Sequence, residues 1–421
     1  MRISSSLLFQ TGLNSINAQQ SDLLHLFQQI GSGRRMVTPA DDPLGAAQAI
    51  NIRQSQTLNA RYAENRSVAQ SNLGTEENTL NSVTLLMQDI KTRLVEAGNG
   101  TMSDSDRMTL ANVLRHAHTN MLGLANATDG NGQYLFSGSR GDTAPFDENG
   151  NYLGDNRQRN IQVDQTRQLA GSDIGSDVFA RATPGINTYV TAAGSQFGNQ
   201  DANNGTGIIS TASIYDGAQV QAGYRFAITI DNPATTYSIE VFDANGNAVT
   251  PANPADWINQ PFEPGQDNLI KLPFGVQVKL SGNPEPGDVF SVAPAASEDM
   301  NIFKTLDTMI QLLETPFEAN PAGQAQFQNV LASTIQRMDI NYDNILTVRS
   351  SIGARMNELE ALDANGSLRD LGYRSQISAL EDLDYYTATT QLELRKSALE
   401  GATLAFRKIQ GISLFALGSG R

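Results

Sequence analysis

Proline sets the first constraint on this chain: eleven of its fifteen prolines fall between Pro145 and Pro294, and a ring without an N–H breaks helices wherever it stands in their interior. The stretch from Leu44 to Ala97, in contrast, has no proline and, past Gly45 in its first turn, one interior glycine, Gly74. The sequence therefore predicts helical ends and a non-helical middle. A helix from Leu44 to Ala97 would be about 80 Å long at 1.5 Å per residue, with Asp41, Asp42 and Pro43 supplying its start. Within it Leu73, Leu80, Met87 and Leu94 recur every seven residues, with Val83, Ile90 and Ala97 in the intermediate places of a heptad seam. Such a face must be covered by other helices. Ser103 to Asn126, opened by a Ser-x-x-Asp box, together with Glu298 to Glu314 and Ala322 to Ala364, are the candidates, the last ending at Asn365-Gly366.

The extreme ends repeat the pattern. Phe9, Ile16, Leu23 and Ile30 are spaced by seven, with Leu13 and Phe27 on the neighbouring register. Tyr385, Leu392, Leu399 and Phe406 do likewise, flanked by Ala388, Ala402 and Ile409, although Arg395 interrupts the second register. Periodicity does not name the partner of these helices, which pair within the chain or order against neighbouring subunits.

From about Gln133 to Ala296 the chain alternates strand-like runs, such as Tyr224–Ile230 and Tyr237–Phe242, with turn residues, which predicts antiparallel sheet. Asp243-Ala-Asn-Gly-Asn247 reads as a hairpin turn. As a calcium loop it fails, because Ala248 stands in the glycine position and Pro254 in that of the bidentate glutamate. The fold class expected is α+β and multidomain: a long coiled-coil or bundle built from both chain ends, with a central antiparallel β domain inserted. The expected zones are 1–42 with 377–421, 43–178 with 296–376, and 179–295.

Chemistry is thinly represented. With no cysteine there is neither a disulfide nor a thiolate metal site, and a formal net charge of −15 disfavours nucleic acid and anionic lipid. His116 and His118, two apart on a helix, face different sides and share no metal. No cofactor, metal or catalytic set is predicted. Gly31-Ser-Gly33-Arg-Arg35 reads as a helix terminator with arginines near the negative helix end, not as a phosphate loop. The N-terminus lacks a basic region followed by a continuous apolar stretch, and no window approaches the roughly 20 apolar residues of a membrane span.

The segment Gln29-Ile-Gly-Ser-Gly-Arg-Arg-Met-Val-Thr-Pro-Ala-Asp-Asp-Pro-Leu-Gly-Ala-Ala47 resembles the signature of the bacterial flagellin superfamily, as do Val348-Arg-Ser-Ser-Ile-Gly-Ala-Arg355 and the closing helix to Leu414-Phe415. Gly130-Asn-Gly-Gln-Tyr-Leu-Phe-Ser-Gly138, Thr143-Ala-Pro-Phe146, Gly282-Asn-Pro-Glu-Pro-Gly-Asp-Val-Phe290 and Met1-Arg-Ile-Ser4 are similar to the member that joins hook to filament rather than to the filament flagellin. The resemblance implies an extracellular structural subunit, exported through the flagellar type III apparatus with its N-terminus uncleaved. It also implies a cytoplasmic chaperone on the C-terminal helix. The implied outside partners are hook-associated protein 1, flagellin and copies of the chain itself, and the alternative is the flagellin of the filament. Phe9, Leu13, Ile16, Leu23, Phe27, Ile30, Leu392, Leu399, Phe406 and Ile409 are then the candidate subunit-packing or chaperone-binding residues.

Overall fold

A computed structural model describes residues 5–418 apart from 101, 183–184, 186, 196, 198–202, 252 and 317–319. The α+β expectation holds: helices occupy both ends and antiparallel sheets the middle. The chain divides into two compact units, Met1–Glu64 with Ala361–Arg421, and Asn65–Glu360.

The first unit contains α1 (Ser5–Ser32), the start of α2 (Pro43–Ala97), the end of α5 and the whole of α6, whose ranges follow below. Asp42 caps α2 by accepting from the Gly45 N–H at 2.9 Å. Asp41 does not cap that helix. Its carboxylate instead accepts from the N–H groups of Val37 and Thr38, both at 2.8 Å. These bonds, with the Thr38 backbone foremost, hold it below the usual carboxylate range, so one residue of the acidic pair builds the turn and the other starts the helix.

In the second unit, Leu73, Leu80, Val83, Met87, Ile90, Leu94 and Ala97 of α2 are all buried, as the heptad spacing requires. Next in the chain is α3 (Asp104–Ala125), whose Ser103 and Asp106 form the reciprocal capping box. Among the described residues twelve strands follow. The hairpin β1 (Asn160–Gln162) and β2 (Gln168–Ala170) stands apart from the two larger sheets. Those are built from β3 (Tyr189–Ala193), β4 (Ile208–Ile209), β5 (Ser213–Ile214), β6 (Arg225–Ile230), β7 (Thr236–Phe242), β8 (Ala248–Val249), β9 (Gln260–Pro261), β10 (Asn268–Lys271), β11 (Val276–Ser281) and β12 (Val289–Pro294). One sheet runs β3-β12-β6-β7-β8 with β9 also on β7, and the other β10-β11-β4 with β5 also on β11. Alternate residues of both, among them Phe226, Ile228, Ile239, Val278, Leu280 and Phe290, share one core.

Helices α4 (Ile302–Glu314), α5 (Pro321–Glu381) and α6 (Tyr385–Gly418) complete the chain. The expected stop at Asn365-Gly366 does not occur, and α5 runs 61 residues. Gly366 is buried, and its carbonyl accepts the Asn59 side-chain amide at 2.8 Å, so tertiary packing against α2 carries the helix through a sequence that would end it elsewhere. Helix α4 starts four residues later than expected, because Asn301 accepts from the Phe303 and Lys304 N–H groups and fixes the boundary there.

Candidate functional site

Within the first unit α1 and α6 pack antiparallel. Gly12 lies against the Phe406 ring, Arg395 Nη1 is 2.6 Å from Asp22 Oδ2, and the Tyr385 hydroxyl donates to the Ile30 carbonyl at 3.4 Å. Arg395, which breaks the apolar register, is thus matched by an acid on the opposite helix. Ile16, Leu23 and Ile30 are half-buried in the seam, as are Leu392, Leu399 and Phe406, while Leu26 and Ala388 are fully buried. The second register of α1 does not follow Leu13 and Phe27, which are 38% and 52% exposed; it follows Gly12, Gln19 and Leu26. The side chains of Phe9 and Ile409 lie outside the described residues, as do those of Leu414 and Phe415.

Two apolar surfaces therefore coexist. The first is the seam between α1 and α6. The second is open: Leu13, Leu24 and Phe27 on one flank of α1, and Tyr386, Leu394 and Leu404 on α6, are all exposed. Scattered single apolar residues are ordinary on a protein surface, whereas here several stand exposed on two paired helices.

The helix-terminating segment is tied to the far end of the chain. Gly33 takes φ +70, the Leu383 N–H donates to its carbonyl at 3.0 Å, and the Arg35 N–H donates to the Glu381 carbonyl at 2.7 Å. The Arg35 guanidinium donates through Nε and Nη2 to the Leu380 carbonyl at 3.1 and 2.9 Å. Its positive charge thus serves the negative end of α5 and not that of α1, a partner 345 residues away that local sequence does not disclose.

Among the described residues no chemical site competes with these surfaces. Among the described residues no three His, Cys, Asp or Glu side chains come together as a metal site. Asp129, Asp147 and Asp243 each open the same Asp-x-Asn-Gly turn: each Oδ1 accepts from the N–H groups two and four residues on, at 2.8 to 2.9 Å. Their carboxylates are used by backbone, and the second of the three turns had no signal in the strand pattern. His118 is buried with its ring edge-on to Phe303 at 5.7 Å, and His25 pairs with Asp41 at 3.1 Å. A cleft of about 800 Å³ collects Asp155, Arg181, Glu298, Asp299 and Lys304. Lys304 already pairs with Asp299 at 3.0 Å and Asp155 with the Ser139 N–H at 2.7 Å, so its charges do not converge on a reacting centre.

Long amphipathic helices from both ends and a β insertion between them fit an assembly protein. Residues 3–140 match the bacterial flagellin N-terminal helical region, so the chain is similar to proteins of flagellin type. Within that type the likeness is to hook-associated protein 3. The chain is 28% identical to flagellar hook-associated protein 3 of Salmonella typhimurium over 99% of both chains. It is similar to the crystal structure of the flagellar junction protein FlgL from Legionella pneumophila, with a TM-score of 0.60 and 28% identity over 80% of this chain and 100% of that one. The flagellin of Salmonella enteritidis is 26% identical over only 57% of this chain and 48% of its own.

Proposed function

We propose that the chain is a subunit of the bacterial flagellum that adapts the hook to the filament, with hook-associated protein 1 on one side and flagellin on the other. The observation that carries this reading is coverage: the likeness to hook-associated protein 3 runs end to end, whereas that to flagellin covers about half of either chain. The exposed apolar residues of α1 and α6 support it, because an isolated soluble subunit has no use for them. Copies of the chain pack through residues 1–42 and 377–421, residues 43–178 with 296–376 support them, and residues 179–295 face outward.

Before assembly the chain leaves the cell through the flagellar type III apparatus, with a cytoplasmic chaperone on α6. The half-buried Leu392, Leu399 and Phe406 face α1 in the folded chain, so a chaperone groove that takes this face substitutes for α1 and keeps the two helices apart until export. A strain lacking the chain tests the assignment. Bare hooks, with unpolymerised flagellin in the medium, are the expected result. Bare hooks in a strain that makes no other flagellin identify this chain as the filament subunit instead, and normal flagella overturn both readings.

A further inference from the structure

Glu76 stands on the buried stripe of α2 between Leu73 and Leu80 and is 0% exposed. Its Oε1 accepts the Asp173 N–H at 2.9 Å, and among the described residues its Oε2 has no hydrogen-bond partner. The charged groups facing it arrive from three directions. Asp173 lies in the segment after β2, Arg355 projects from α5, and Glu77 is its neighbour on α2. Neither cation is free to neutralise it. Arg355 pairs with Asp173 and donates to the Ala170 carbonyl at 3.2 Å, while Arg349 is 2.6 Å from Glu77.

A bare carboxylate here would be a buried charge beside a second carboxylate, with the nearest guanidinium already engaged. Burial first, and then the Asp173 charge, push the Glu76 carboxyl up to about 8, against the opposing pull of the Asp173 N–H and Arg355. Glu76 is therefore held toward its neutral form. An unsatisfied hydroxyl at Oε2 costs far less than an unsatisfied charge.

We propose that residues 170–174 form a proton-coupled latch, sealed onto α2 while Glu76 is neutral and released from it with loss of a proton. In the released state Glu76 meets water and ionises near its ordinary 4.5. Opening thus expels one proton between that value and about 8. The latch is tightest in acid, loosens progressively as pH rises toward 8, and changes no further beyond it.

Hydrogen exchange of the full-length chain, followed by mass spectrometry from pH 5 to 9 and corrected for intrinsic exchange rates, tests this. In the wild type, protection of amides 170–174 falls by about 10-fold per pH unit between pH 5 and 8 and then levels. Glu76→Gln keeps the acceptor and the shape but has no proton to lose, so its protection there is flat. Wild-type protection independent of pH, or a Glu76→Gln variant that loses protection in parallel with it, overturns the proposal. A variant that fails to fold leaves the decision to the wild-type infrared spectrum. A protonated-carboxyl band present at pH 7 and gone at pH 9.5 supports the latch, and its absence at pH 7 overturns it.

Discussion

The Phe406 ring on α6 rests on the backbone of Gly12 on α1, so close that a β-carbon at residue 12 would stand 3.0 Å from Cδ2. The absence of a side chain at one end of the chain makes room for an aromatic ring from the other.

That relationship yields a paired test. Gly12→Leu forces the ring out and separates the two helices, whereas Phe406→Ala leaves them paired but weakened by roughly 1–2 kcal/mol, the value of a half-buried aromatic. Proteolysis rates within residues 8–30 of the purified chain distinguish them, with the larger acceleration expected in Gly12→Leu.

The heptad seam of α2 predicts a second contrast. Leu80 is 0% exposed and Leu85, five residues on, is 60% exposed. Leu80→Ala is expected to cost about 2–5 kcal/mol and Leu85→Ala less than about 0.5 kcal/mol, as measured by denaturant unfolding.

Two of the Asp-x-Asn-Gly turns offer a third. Gly246 and Gly150 both take positive φ, +81 and +72, but a β-carbon at 246 meets nothing while one at 150 would lie 2.3 Å from Phe303 Cβ. Gly246→Ala therefore carries only the left-handed backbone cost of roughly 1–2 kcal/mol, and Gly150→Ala costs more because Phe303 must also move. Thermal melts rank the two. Added calcium leaves the melting temperature of the wild type unchanged, because backbone N–H groups already occupy these carboxylates.

The long helices and their buried stripe were legible in the sequence because seven-residue spacing fixes a face whatever packs on it. The position of the α1 seam was only half legible. Its second row is Gly12, Gln19 and Leu26, and a row containing glycine and glutamine carries no apolar signal, whereas the apolar spacing lies on Leu13 and Phe27, which are exposed. The ties of Arg35 to Leu380 and of Asn59 to Gly366 had no local signal, since each joins residues more than 300 positions apart. The same holds for Glu76, whose spacing marks it as buried but whose surroundings come from the segment after β2 and from α5.

The terminal helices and the remainder of the chain separate in a fourth prediction. Deletion of residues 1–35 or of 390–421 leaves the core of residues 65–360 intact, because its heptad stripe and sheets do not depend on either segment. Circular dichroism with thermal unfolding should show that core melting as before, while neither truncated form restores filaments to a strain lacking the chain. Filament assembly by either one contradicts the account.

The most direct test of the junction assignment is where the protein sits in a mature flagellum. Immunogold labelling of intact flagella, with an antibody raised against residues 203–296, is expected to place the chain in one narrow band between hook and filament. Label distributed along the whole filament would contradict the junction role and make the chain a flagellin.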